Sequence, residues 1–98
     1  MAKYLLLWEE DTTRVAVDPK ERGALRLAAL EMVQRDLREG RASDWGCFLD
    51  GNSGYAIMDT EEVDLTLSLQ ELYPYITWEV QPVLSIEQVE QVAQTLAK

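Results

Sequence analysis

Glu79, Cys47 and the tryptophans Trp8, Trp45 and Trp78 are the side chains of this 98-residue chain with the most chemistry to offer. Glu79 lies between Trp78 and Val80 in a stretch that alternates like a strand. A carboxylate held between two apolar layers loses hydration, its pKa rises, and it becomes a usable general base. On an edge strand facing water the same group is an ordinary solvated acid. Cys47 has no cation beside it in sequence to stabilise a thiolate, so it reads as a buried free thiol. The tryptophans fall on three different predicted strands. With Tyr55 and Ile57 they mark a ligand pocket or a subunit boundary. The chain has no histidine, which removes imidazole triads, His-ligated haem and His-containing zinc sites together. No cofactor and no metal is implied.

Other spacings are weaker on inspection. Asp50, Asn52 and Glu61 fall at positions one, three and twelve of a calcium loop, but Tyr55 occupies the place that requires glycine. Glu9, Glu10 and Asp11 read as a solvated turn after a strand. Ser53 is a turn residue, without the setting of a nucleophile elbow. Gly54-Tyr55-Ala56-Ile57-Met58 overlaps the third-strand signature of the RNA-recognition motif, yet Ile57 and Thr60 stand where stacking aromatics belong. A formal charge of -9 opposes any phosphate backbone or anionic leaflet, so neither nucleic acid nor membrane is expected as a partner.

Those residues must be positioned by something, and the composition says what kind of object does it. With 47% apolar and 28% charged residues the chain carries enough apolar surface for one core. Residues 1–98 are expected to form a single domain. No apolar run approaches the roughly 20 residues of a membrane span. One cysteine and no signal-peptide pattern point to a reducing cytoplasm.

Lys3 to Trp8 reads as a buried strand. Asp18-Pro19-Lys20-Glu21 places an N-cap, a proline and an acid in the order that opens a helix. Leu25, Ala29, Val33 and Leu37 give that helix an apolar stripe before Gly40 ends it. Asp44 to Leu49 and Tyr55 to Asp59 predict a hairpin around Asp50-Gly51-Asn52-Ser53-Gly54. Residues 63–72 carry both periodicities; Asp59 and Glu62 form a capping-box pattern that favours a helix. Tyr75 to Val83 follows as a strand, with Ile76, Trp78, Val80 and Pro82 on one side, and Pro82 assigns it to an edge. Ser85 to Gln88 is another capping box. Behind it, Ile86, Val89, Val92, Ala93 and Leu96 trace one face of a last helix.

The order β-α-β-β-α-β-α predicts an α+β fold: ferredoxin-like βαββαβ with a C-terminal helix, a four-stranded antiparallel sheet and helices on one face. The central strands are apolar on both sides, so the uncovered face needs a cover. Covering ~600 Å² per partner at ~25 cal/mol per Å² returns roughly 30 kcal/mol gross, above association costs of ~4–15 kcal/mol. A homodimer is the expectation; the alternative is a last helix folded back across the same face.

This element order and the two-sided strands over residues 3–83 resemble the dimeric α/β-barrel superfamily, in particular its small members of unknown function. The resemblance implies a homodimeric module able to enclose a small apolar ligand between its sheets. A cofactor-independent isomerase, lyase or oxygenase acting in that space, with Glu79 as its carboxylate, is the enzymatic alternative. Two-sided leucines in residues 63–72, if left exposed, would instead suit docking of another protein.

Overall fold

The computed structural model describes residues 2–98. Alternation of Tyr4, Leu6 and Trp8 with Lys3, Leu5 and Leu7 builds the first strand, β1 (Lys3–Glu10). The Asp18 carboxylate accepts from the Glu21 backbone N–H at 3.2 Å, and Pro19 starts α1 (Pro19–Arg38). Gly40, at φ +79°, turns the chain out of the helix. β2 (Ala42–Cys47) and β3 (Ser53–Asp59) form the hairpin; each strand starts two residues earlier than the aromatic runs suggest, and β3 ends at Asp59 as expected. Phe48 and Leu49 lie in its turn instead. There the Asp50 carboxylate accepts from the Asn52 and Ser53 N–H groups at 2.8 and 3.2 Å, and Gly51 takes a positive φ. α2 (Glu62–Leu72) is a helix, β4 (Ile76–Val83) a strand, and α3 (Ile86–Leu96) a helix with both capping-box bonds made.

The sheet runs β2-β3-β1-β4 with every neighbouring pair antiparallel, which is the ferredoxin-like arrangement, and β4 is an edge strand. Register places Tyr4, Leu6 and Trp8 beside Met58, Ala56 and Gly54 on one side and beside Pro82, Val80 and Trp78 on the other. This face holds the core: Tyr4, Leu6, Ala42, Ala56 and Met58, capped by Leu65 of α2. Arg35 of α1 and Glu71 of α2 approach to 4.0 Å, an exposed ion pair between the two crossover helices.

Several expectations are corrected. Asp59 does not cap α2. It ends β3, where its N–H donates to the Arg41 carbonyl at 2.8 Å, and Glu61 takes the N-cap position without a side-chain cap bond. Cys47 is exposed rather than buried, because it closes β2 at the hairpin end. Leu25 and Leu37 are exposed on α1. The half-buried face of that helix runs through Arg22, Arg26, Ala29 and Val33, rotated from the purely apolar stripe by guanidinium groups that pack their stems inward.

The last helix does not fold back. Every residue of α3 is exposed, and the molecule measures 61 × 25 × 20 Å. Its radius of gyration is 16.2 Å, against roughly 13 Å for a rounded domain of this length.

Candidate functional site

The face of the sheet turned away from α1 and α2 carries the remaining side chains of each strand. In register across it run two rows, Tyr55–Leu7–Glu79 and Ile57–Leu5–Gln81. A third, polar row is Ser53–Glu9–Thr77. Leu7 is 41% exposed, and Leu5, Tyr55 and Ile57 are half-buried only by one another and their neighbours. The two middle strands therefore supply an apolar patch, and β4 supplies a polar margin of Thr77, Glu79 and Gln81.

Tyr55 is the most constrained member. A Cβ on Gly46, its neighbour on β2, would collide with the phenol ring, so only glycine lets the ring lie across that strand. Its hydroxyl donates to Asp44 Oδ2 at 2.8 Å. That bond to a carboxylate, with some burial, raises the Tyr55 pKa above its ordinary value. The phenol thus stays a neutral donor with a fixed direction. Glu79 stands two strands away in the same row, exposed on the edge strand with Leu7 between it and Tyr55.

The residues expected to share a pocket divide between the two faces. Tyr55, Ile57 and Glu79 are brought together on the open face. Trp8, Trp45 and Trp78 are on the helix-covered face, where Trp8 and Trp45 stack with centroids 5.4 Å apart and planes 12° from parallel. Gly54 makes this stack possible, because the Trp8 indole passes directly over it. The indole N–H groups of Trp8 and Trp78 are buried without a hydrogen-bond partner. Strand parity separates the two sets: the tryptophans fall at positions in register with Ala56 and Gly54 of β3, whereas Tyr55 and Ile57 point the other way.

A polar cleft of about 470 Å³ was not foreseen. Thr12, Val17, Arg22, Arg26, Asp50 and Asn52 line it where the β1–α1 loop meets the hairpin. Both guanidinium groups bond within the chain, although Arg26 Nε is buried without a partner. Arg22 donates to the carbonyls of Ala16 and Val17, each at 3.1 Å, and Arg26 to Glu10 at 3.0 Å and Asn52 at 3.3 Å. The cleft is therefore a brace that ties the loop to the sheet. The acidic run at its edge is likewise divided. Glu10 pairs with Arg26, while Asp11 accepts from the Thr13 hydroxyl at 2.6 Å, a bond that lowers its pKa. Among the described residues no cluster of three or more His, Cys, Asp or Glu side chains could hold a metal ion, and no helix is long and apolar enough to cross a membrane.

Comparison with protein-family models, with curated proteins and with solved structures returned no significant match to this chain. The architecture is ferredoxin-like by its topology.

Proposed function

We propose that the protein acts as a homodimer assembled over its open sheet face, in the manner of the dimeric α/β-barrel superfamily, with a small apolar ligand held between the two sheets. One observation carries this reading. Leu5, Leu7, Tyr55 and Ile57 form a continuous apolar patch on the side of the sheet that neither crossover helix covers. Two such patches facing each other would remove apolar surface from water on both copies. The total surface supports the same reading. It is 7194 Å², whereas a folded monomer of 11.2 kDa presents roughly 5,700 Å². The surplus, roughly 1,500 Å², is more than the ~800 Å² that each partner gives to an ordinary specific interface.

The enzymatic alternative is favoured by a single arrangement, the row that holds Tyr55 and Glu79 on the same face. In a closed inter-sheet space the fixed phenol oxygen, its own proton held by Asp44, would accept from a substrate hydroxyl and the carboxylate would accept a proton. Leu7 between them would supply the apolar floor.

Sedimentation equilibrium of the purified protein tests the dimer: twice the 11.2 kDa chain mass is expected. Ile57→Asp places a charge in the centre of the patch and is expected to weaken association at least a hundredfold. Native mass spectrometry of the dimer tests for a retained apolar molecule. A wild-type monomer at every concentration would end the proposal.

A further inference from the structure

We infer that α3 is an arm that seats its apolar stripe on a second copy of this chain, beside the open sheet face, and not on its own body. The inference rests on the homodimer proposed above and adds to it the element that clasps the partner. Ile86, Val89, Val92 and Leu96 lie along one side of α3, with exposures of 67%, 47%, 50% and 80%, and Leu84 leads into them at 60%. Packing against the rest of its own chain therefore contributes almost nothing to this helix. Helices shorter than about 12–15 residues are marginal in water by themselves, so an 11-residue helix needs a surface to lie on.

The position of α3 identifies that surface. Only Leu84 and Ser85 separate it from β4, the edge strand that borders the open face. A second copy stacked on that face is within immediate reach. The helix is about 16 Å long at 1.5 Å per residue. Four strands at ~4.8 Å spacing span about 14 Å. One arm is thus as long as a partner's four-stranded sheet is wide. A two-fold arrangement lets each copy give one arm and receive one, so both stripes are covered and no open-ended chain of subunits results. The surface surplus is large enough to include an arm as well as a sheet face. A lipid surface suits this helix poorly: its polar side carries Glu87, Gln88, Glu90, Gln91 and Gln94, and no Lys or Arg faces an anionic headgroup from within residues 86–96.

Hydrogen–deuterium exchange of the full chain, read above and below the dimer dissociation constant and paired with sedimentation, tests the arm. In the dimer the amides of 86–96 are expected to be protected. On dilution that protection should fall at least tenfold while β1 and β3 stay protected. Val89→Glu combined with Val92→Glu alters only positions exposed in the single subunit, so the body folds, and the dissociation constant is expected to rise at least tenfold. Equal protection of α3 in dimer and diluted monomer would mean that it packs on its own body, overturning the inference. A dimer with α3 unprotected throughout, or a double variant that dimerises as tightly as wild type, would remove the arm and keep the homodimer. A wild-type monomer at all concentrations would remove both.

Discussion

A methyl group added at Gly54 would stand 2.5 Å from Trp8 Cζ2 and closer still to the Gly46 carbonyl oxygen. Neither neighbour can retreat: the indole is stacked on Trp45, and the carbonyl belongs to the adjacent strand. Gly54→Ala is therefore expected to cost about 1–3 kcal/mol, as overpacking of a well-filled core does. Gly23 is the contrast. It sits in α1 with nothing within 4 Å of a Cβ, so Gly23→Ala should stabilise by about 0.5–1 kcal/mol through backbone entropy alone. Urea denaturation of the two variants checks the opposite signs. The same glycine pair explains what was legible at this scale. That the tryptophans lie on strands could be read from their neighbours. That Trp8 crosses Gly54 to reach Trp45, while Tyr55 crosses Gly46 on the opposite face of the sheet, depends on register. Register is set by pairing between strands distant in sequence. The candidate site was therefore legible as a set of residue types, and its division between two faces was not.

Where an element begins depends on which local hydrogen bond wins, and α2 shows how a correct element can carry a wrong cap. The capping pattern and a run to Tyr73 that is longer than an ordinary strand favour the helix, which is present as Glu62–Leu72. Asp59 nevertheless stays in the sheet, because its N–H is already donated to Arg41, and the chain uses Thr60 and Glu61 to reach the helix axis. Glu61 leaves the first-turn N–H groups of α2 without a side-chain acceptor. Glu61→Ser supplies one and is expected to stabilise the protein by about 1 kcal/mol, visible as a higher urea midpoint with an unchanged slope. A slope change would show that the subunit itself had been reorganised. Asp18 and Ser85 had no competing partner, and both cap as their spacing predicts. On α1 the apolar stripe misplaced the packed face for a related reason. Arg22 and Arg26 turn inward because loop carbonyls and Glu10 meet their guanidinium groups, which a count of apolar residues does not register.

At the scale of the whole molecule, amphipathicity states that a helix has a partner surface without saying which molecule provides it. The stripe on α3 was legible, as were the two-sided strands; that the helix points away from its own sheet was not, since a fold-back across the open face satisfies the same pattern. The surplus surface and the 61 Å length decide between them in this structure. They also lead to a thermodynamic expectation. If the open face and the arm are covered by a second copy, the native state is stabilised by mass action, and its melting temperature depends on protein concentration. Each tenfold rise in concentration adds about 1.4 kcal/mol to the dimer. An unfolding entropy of ~2.1 cal/mol/K per residue over both chains converts that to a shift of about 3 °C. Calorimetry across two decades of concentration should thus move the wild-type midpoint by about 6 °C. The Ile57→Asp variant should melt at one temperature throughout. A wild-type midpoint that stays fixed would mean that the exposed leucines of the sheet and the stripe on α3 are tolerated in water by a single subunit.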